Sequence, residues 1–133
     1  MSGLYDVYLY THGTRPYALL MVKVLEQEGR RFTESRVITR DDCAHGTSSK
    51  TLSRLFSDDR LTLIVDDRND VWKEHLFNLY KVGPFFYFTD KPESAARNHA
   101  LFERDLGLVF ALHSARLVHS VFFELPEEEA DIK

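Results

Sequence analysis

Two adjacent aspartates, Asp66 and Asp67, directly follow a hydrophobic stretch at residues 61–65. Apolar and β-branched residues in such a run predict a buried strand. Ligands of open α/β sheets bind at the carboxyl edge of the strands, so this strand would deliver two carboxylates to a binding edge. The like charges repel each other, and a hard cation such as Mg²⁺ would relieve that repulsion. The alternative is a polar strand end with a turn, in which Asp70 caps the next segment.

Thr11 and Lys50 fall at other predicted strand or loop ends on the same edge. A threonine hydroxyl, a lysine ammonium and a metal-binding carboxylate are the groups that hold a phosphoryl group. The hydroxyl donates to one oxygen, the ammonium balances charge, and the metal bridges phosphate to protein. Taken singly, Thr11 can simply end a strand and Lys50 can be a solvated residue at the start of a helix. The combination with the two aspartates favours phosphoryl chemistry.

The elements that must position these residues alternate between strands and helices. Strands are predicted at residues 5–11, 36–39, 61–67 and 82–88, with the last near an edge because Pro84 interrupts it. Helices are predicted from Arg15 or Pro16 to about Glu28, from Ser48 or Ser49 through Phe56, and at 93–123 with a break near 105–107. Residues 71–80 are predicted to be irregular or to form one helical turn. This alternation predicts a parallel sheet with helices on its faces.

Composition excludes several classes of protein. The chain has 133 residues, of which 44% are hydrophobic, so it can bury the core of one domain. Its net charge of −4 gives no basic surface for nucleic acid, and no direct contact with nucleic acid is expected. The single cysteine, Cys43, excludes an internal disulfide and a multi-cysteine zinc site. We expect no membrane association, since the sequence has no apolar run of transmembrane length and no signal-peptide pattern at its start.

Several segments together resemble the TFIIF-associating phosphatases of the RNA polymerase II C-terminal domain. The most specific is the string Asp-Asp-Arg-x-Asp-Val-Trp at residues 66–72, and the other similar segments are residues 5–18, 36–42, 49–56, 82–88 and 106–123. This family carries the FCP homology domain and belongs to the haloacid-dehalogenase superfamily. The resemblance implies a Rossmann-like, haloacid-dehalogenase-type α/β fold over residues 1–123, followed by an acidic tail at residues 124–133.

The resemblance also implies an activity and roles for the residues of the edge. The activity would be Mg²⁺-dependent hydrolysis of phosphoserine or phosphothreonine through an aspartyl-phosphate. Thr11 would bind the transferred phosphoryl group and Lys50 would balance its developing charge. Asp67 would ligate Mg²⁺, while Asp66 would orient the lysine and the water shell of the metal and contribute to the metal site.

Other implications concern the substrate and the partners. Tyr5 and Arg15 occupy positions of the family motif that would shape the substrate groove. Glu26 departs from the family's Leu-Asp-Pro pattern, so its role is left open. The substrate would be the phosphorylated C-terminal domain of RNA polymerase II, with TFIIF as a partner and the nucleus as the compartment.

One departure decides how far this activity extends to the chain. The family's nucleophile is the first aspartate of Asp-x-Asp-x-Thr, and this signature occurs neither before Thr11 nor elsewhere in the sequence. Without it there is neither a covalent intermediate nor the second aspartate that serves as general acid–base. The strand that carries it lies at the middle of the family's sheet. Its loss would leave unpaired strand edges, so the sheet should aggregate, close over the gap or recruit a strand from another chain. We expect a fragment of a phosphatase that is inactive alone and active with its N-terminal segment.

One alternative of a different class remains, a binding module, together with a weaker alternative of the same class. A pseudophosphatase would hold Mg²⁺ and a phosphopeptide without turnover, but such a protein has no chemical need to keep Thr11, Lys50, Asp66 and Asp67 together. A small-molecule phosphatase of the same superfamily is disfavoured by the string at residues 66–72.

Overall fold

A computed structural model describes residues 4–26, 33–43, 47–55, 58–84 and 106–126. Contacts between residues divide the chain into two compact units, Met1–Lys50 and Thr51–Lys133. No helix in the described part of the chain is long and apolar enough to cross a membrane.

The first unit is built on a parallel strand–helix–strand arrangement. Strand β1 (Leu9–Tyr10) is followed by helix α1 (Arg15–Leu25) and strand β2 (Val37–Ile38). The two strands pair in parallel, and Thr11 extends their ladder by donating its N–H to the carbonyl of Ile38 at 2.9 Å. Parallel strands need a long crossover, which α1 supplies.

The apolar spacing of α1 explains how the helix covers this strand pair. Ala18 and Val22 lie four residues apart on one face, where they are buried with Val37 and pack against Leu9. Pro16 lies in the first turn of the helix, where its missing N–H costs nothing. The helix ends before Glu26, whose φ of −84° and ψ of 85° are not helical.

The second unit contains another parallel strand pair. Strand β3 (Ile64–Asp66) pairs with strand β4 (Leu79–Lys81), with Asp66 opposite Lys81. The side-chain amide of Asn78, which is 2% exposed, donates to the carbonyls of Asp59 and Thr62 at 2.7 and 2.9 Å. This buried amide ties the 3₁₀ turn before β4 (Leu76–Asn78) to the one before β3 (Asp59–Leu61).

Helix α2 (Gly107–Glu124) closes the described part of the second unit. Small residues at four-residue spacing, Ala111 and Ala115, form its buried stripe. Its exposed large apolar residues include Phe110, Leu117 and Phe123.

Much of the predicted organisation is confirmed. The described strands β1, β2 and β3 lie within the predicted stretches, and α2 begins at the predicted break. Helix α1 begins at Arg15, one of the two predicted start residues, but ends at Leu25, before the predicted end near Glu28. The predicted helical turn within residues 71–80 is the 3₁₀ turn Leu76–Asn78. The predicted strand residues 85–88, helix residues 93–105 and most of the acidic tail lie outside the described residues.

Two predicted elements are wrong. No helix starts at Ser48 or Ser49; instead, a 3₁₀ turn spans Leu52–Arg54 and ends at Leu55. The N–H of Leu52 donates to Nε2 of His75 at 3.2 Å, so a contact distant in sequence replaces helix propagation. The strand assigned to residues 82–88 is also displaced, because β4 ends at Lys81 and residues 82–84 are not in a strand.

Candidate active site

Thr11 lies in the turn that joins β1 to α1. Its Oγ1 accepts the backbone N–H of Gly13 at 3.0 Å. A hydroxyl can accept through its lone pairs while its hydrogen still donates, so Thr11 retains the group needed to bind a phosphoryl oxygen. A Cβ at Gly13 would lie 2.6 Å from Cδ1 of Tyr17 and 3.2 Å from Oγ1 of Thr11. Glycine at this position therefore lets the turn close around the threonine.

The segment after β2 folds against this turn. The N–H of Arg40 donates to the carbonyl of Gly13 at 3.2 Å, and Nε of Arg40 donates to the carbonyl of His12 at 3.0 Å. Oδ2 of Asp41 accepts the N–H of Arg15 at 3.4 Å, in the first turn of α1. Three contacts that span 26 to 28 residues in sequence thus fix the conformation around Thr11.

A reciprocal capping box holds the same segment rigid. Oδ2 of Asp42 accepts the N–H of Thr39 at 2.8 Å and its hydroxyl at 2.9 Å, and Thr39 is fully buried. Buried polar groups are costly unless they are paired. The conformation that aims Arg40 at the threonine turn is therefore specified by the short sequence Thr-Arg-Asp-Asp itself.

Two residues were predicted to shape the substrate groove, Arg15 and Tyr5. Arg15 lies in α1, and Tyr5 lies before β1. Arg15 is half-buried; its guanidinium donates to the carbonyl of Val37 at 3.4 Å and lies 3.6 Å from Asp42. These contacts connect the first turn of α1 to β2 and to the segment that follows it, so Arg15 has a structural role. Tyr5 precedes β1, whereas Thr11 follows it, and partial burial raises the pKa of the Tyr5 phenol. Their predicted roles in substrate binding stay predictions.

Lys50 is the last residue of the first unit, and its ammonium lies over an aromatic ring. Nζ is 5.5 Å from the centroid of Tyr10, the residue before Thr11. The hydroxyl of Tyr10 lies 3.7 Å from Sγ of Cys43, and that thiol donates to the carbonyl of Thr39 at 3.3 Å. Lys50, the predicted phosphate-binding lysine, thus contacts the last residue of β1, which directly precedes Thr11.

In the first unit Arg40 contacts the turn that follows Thr11, and the Lys50 ammonium lies over Tyr10, the residue before Thr11. A hydroxyl and cations are groups that can bind phosphate oxygens. Arg40 was not singled out from the sequence as a site residue, yet its side chain contacts the turn that follows Thr11. A signal was present, because a threonine three residues before an aspartate predicts the capping box that fixes this arginine.

Asp66, at the end of β3, is held by two donors. The indole Nε1 of Trp72 donates to Oδ2 at 2.8 Å, and the N–H of Arg68 donates to Oδ1 at 3.0 Å. Trp72 is 3% exposed, so its position is set by the core of the unit. Two directed donors fix the plane of the carboxylate and leave it suited to orienting neighbouring groups.

Asp67 differs from its neighbour because its side chain is exposed. Mg²⁺ commonly takes only one or two protein carboxylates and completes its shell with water and substrate phosphate. Asp67 fits that pattern, with the anchored Asp66 beside it. Among the described residues no group of three or more His, Cys, Asp or Glu side chains forms a metal cage. The exposed Asp67 carboxylate is the donor that a Mg²⁺ ion with few protein ligands would use.

Arg68 and Asp70 complete the loop after β3. The guanidinium of Arg68 makes two hydrogen bonds to the carboxylate of Asp70, with Nε to Oδ1 at 3.0 Å and NH2 to Oδ2. The hydrogen bond raises the pKa of Arg68 and lowers the pKa of Asp70. Asp70 therefore braces Arg68 within the loop that follows β3.

Comparison with known proteins identifies related chains. An RNA polymerase II C-terminal domain phosphatase of Encephalitozoon cuniculi is 45% identical over 89 residues, which are 66% of this chain and 21% of that protein. The protein of the same name from Schizosaccharomyces pombe is 39% identical over 66% of this chain and 12% of its own length. This chain thus spans about a fifth or less of these relatives.

A solved structure is also similar. The fission yeast RNA polymerase II CTD phosphatase Fcp1, bound to beryllium fluoride, matches with a TM-score of 0.71 at 25% identity, over 92% of this chain and 44% of the other. The predicted haloacid-dehalogenase-type α/β fold is confirmed by this match. Residues 1–108 match the family described as NLI interacting factor-like phosphatase. Because this match covers more than half of the sequence, the chain belongs to the NLI interacting factor-like phosphatase family.

Proposed function

We propose that this chain supplies the phosphate-binding and metal-binding residues of a Mg²⁺-dependent protein-serine/threonine phosphatase. Its substrate would be the phosphorylated C-terminal domain of RNA polymerase II, as the names of the curated relatives suggest. The observation that carries the proposal is the aspartate pair. Asp66 is anchored by Trp72 and by the amide of Arg68, while Asp67 stays exposed. This asymmetry suits one carboxylate for orienting and the other for binding a cation.

The residues of the first unit would bind the phosphoryl group. Thr11 would donate its hydroxyl hydrogen to one oxygen, because its lone pair already accepts from Gly13. Lys50 and Arg40 would balance the negative charge that develops on the transferred group. In this proposal these groups bind and stabilise the phosphoryl group, and the attacking nucleophile is a carboxylate.

In the second unit Asp67 would hold Mg²⁺, with Asp66 orienting the surrounding groups. When bound, the ion supplies charge neutralisation at the phosphate oxygens. Arg68 keeps the loop in shape through Asp70 and donates its N–H to Asp66. Loss of Trp72 would release Asp66 and so act on the metal site indirectly.

The attacking carboxylate would come from a segment that carries Asp-x-Asp-x-Thr, a signature that this sequence does not contain. That segment would form the aspartyl-phosphate and contribute the general acid–base. Strand β1 and strand β3 each have one partner among the described residues, β2 and β4 respectively. An added strand could pair with such an edge.

The test combines this chain with a segment carrying Asp-x-Asp-x-Thr, added separately or fused before Met1. We expect Mg²⁺-dependent release of phosphate from a phosphoserine peptide of the C-terminal-domain repeat. The Asp67→Asn variant should lose this Mg²⁺-dependent turnover. The Lys50→Ala variant should react about 100-fold more slowly, as expected for removal of one charge-stabilising group. Glu74→Gln and Lys23→Ala are the matched controls, since both side chains are exposed.

No turnover from a folded, combined protein would contradict the proposal. Turnover by this chain alone, abolished in Asp67→Asn, would mean that another carboxylate replaces the missing nucleophile.

A pseudophosphatase is the second candidate, favoured by the absence of Asp-x-Asp-x-Thr from the sequence. It would bind the phosphopeptide in the presence of Mg²⁺ and release it unchanged, with or without the added segment. Calorimetric binding of matched phosphorylated and unphosphorylated peptides, followed by phosphate release, separates the two candidates.

The compartment and partner follow from the proposed substrate. An RNA polymerase II substrate implies the nucleus, and TFIIF is the proposed partner. Co-purification of TFIIF with the combined protein tests this part of the proposal independently of turnover.

A further inference from the structure

Tyr10 is fixed by contacts at its backbone and at the far end of its ring. Its backbone lies in β1, opposite Ile38. Its hydroxyl lies 3.7 Å from Sγ of Cys43, whose thiol in turn donates to the carbonyl of Thr39 at 3.3 Å. With the thiol hydrogen directed at Thr39, the sulfur can accept from the tyrosine hydroxyl. The ring is therefore held in one orientation by the segment that also carries Arg40.

The face of this ring is occupied by a cation. Nζ of Lys50 lies 5.5 Å from the ring centroid, inside the distance of about 6 Å at which an ammonium is attracted to an aromatic face. Lysine has a flexible four-carbon stem and is otherwise adaptable in position. The contact with Tyr10 therefore restricts where the ammonium of Lys50 can lie.

The aromatic ring of Tyr10 attracts the Lys50 ammonium through its quadrupole. The attraction corresponds to about a two- to fivefold effect on an equilibrium, which is weak enough for a phosphate dianion to compete with it.

We propose that Tyr10 is a positioning residue that holds the Lys50 ammonium over its ring at the carboxyl end of β1. This inference rests on the proposed function for its catalytic consequence, but the contact itself does not depend on that function. Tyr10 acts through Lys50 and touches no reacting atom.

The contact is tested first by NMR on the full chain with carbon-labelled lysine. The protons of the Lys50 ε-methylene should be shifted upfield by the ring current of Tyr10, relative to those of the exposed Lys23. A Lys50→Arg variant assigns the signal. Tyr10→Phe should keep the shift because it keeps the ring, and Tyr10→Leu should remove it.

Tyr8→Leu is the matched control for loss of a tyrosine from the same stretch. The ring of Tyr8 lies under the guanidinium of Arg36, at 5.7 Å, so its removal should leave the Lys50 signal unchanged. A Lys50 shift equal to that of Lys23 in the wild type would overturn the proposal, as would a shift that survives in folded Tyr10→Leu. If Tyr10→Leu does not fold, the wild-type shift and its retention in Tyr10→Phe decide the contact.

The catalytic consequence is tested in the phosphatase combined with the Asp-x-Asp-x-Thr segment. Tyr10→Leu should lower kcat by about two- to fivefold, in line with the strength of a cation–π contact, with a smaller change in KM. Tyr10→Phe should restore the wild-type value. Unchanged kcat in Tyr10→Leu, with the NMR shift lost, would overturn the positioning role. No turnover by the combined wild type would instead refute the proposed function, and the NMR result would still decide whether Tyr10 holds Lys50.

Discussion

The turn around Thr11 and the loop around Asp66 differ in the contacts that hold them in place. The Asp66 loop is held by neighbours in sequence, with the indole of Trp72 six residues away and the N–H of Arg68 two residues away. The Thr11 turn is held by residues that come 26 to 28 positions later, through Arg40 and Asp41. One region is a local structure and the other is assembled from two distant segments.

This difference determines how each region should respond to mutation. The Asp66 carboxylate depends on one buried side chain, so loss of that side chain should have a large effect. The Thr11 turn has several independent supports, and loss of any one should cost less. Substitutions at Trp72, Asp42, Gly13 and Arg68 test this comparison, in order from the largest expected effect to the smallest.

Truncation of Trp72 should have the largest effect. Trp72→Ala is expected to lower the free energy of unfolding by about 3–5 kcal/mol, because a buried aromatic side chain is removed. Trp72→Phe should cost about 1–3 kcal/mol, since the ring is largely kept and Asp66 loses the donated N–H. Urea unfolding followed by circular dichroism measures both. A Trp72→Phe variant as stable as the wild type would show that the bond to Asp66 contributes little.

Removal of the capping box should be the next largest effect. Asp42→Ala is expected to cost about 1–3 kcal/mol, because the N–H and hydroxyl of the buried Thr39 both lose their acceptor. Asp6→Ala is the control: it removes an exposed ion pair with Arg36, and such pairs contribute at most about 1 kcal/mol. Equal losses in the two variants, measured by urea unfolding, would contradict a specific role for the capping box.

A methyl group at Gly13 should have a smaller effect. Gly13→Ala is expected to cost about 1 kcal/mol, at the low end for overpacking, because the contacted Tyr17 ring is 51% exposed and can move. Adding Tyr17→Ala should recover most of the loss. Gly83→Ala should be neutral, since a Cβ there meets nothing within 4 Å. Thermal unfolding of these variants and the wild type tests the coupling, and additive losses in the double variant would rule out the Tyr17 contact as the cause.

Loss of the Arg68–Asp70 pair at low pH should have the smallest effect on stability. The hydrogen bond from Arg68 lowers the pKa of Asp70 below its ordinary value of 3.8. The pair's contribution to stability is therefore complete above that ordinary value and is lost as the pH falls through the lower, folded-state pKa. Carbon NMR of the Asp70 carboxyl should show that Arg68→Gln returns its titration to the ordinary range. Arg60→Gln, which breaks the separate pair with Asp58, should leave the Asp70 titration unchanged.

The same contrast explains what could be predicted from the sequence. The Asp66 loop was recognised because all its parts lie within residues 66–72. The parts of the Thr11 turn lie far apart, and the role of Arg40 there depends on folding of β2 beside β1. The presence of helix α1 could also be predicted, because apolar residues recur along residues 19–25 and Pro16 suits a first turn. Its buried face was not predicted, since Leu20 and Val24 are exposed.

The errors have equally specific causes. The predicted helix around Lys50 fails because Thr51 caps only a single turn and His75 accepts the N–H of Leu52. Strand β4 was displaced because Leu79–Lys81 is short, while the following aromatic residues give a stronger strand pattern. Which strand a short segment joins depends on tertiary pairing, here with β3, and local composition does not encode it.

The anchoring of Asp66 has a practical consequence. Trp72 is the only tryptophan in the sequence, and its indole donates directly to the Asp66 carboxylate from a buried position. Selective excitation of this chromophore gives an intrinsic fluorescence signal that originates beside the aspartate pair. Emission from the unlabelled, unmutated chain therefore offers a test of the proposed Mg²⁺ binding: a change on titration that is absent in Asp67→Asn would support it.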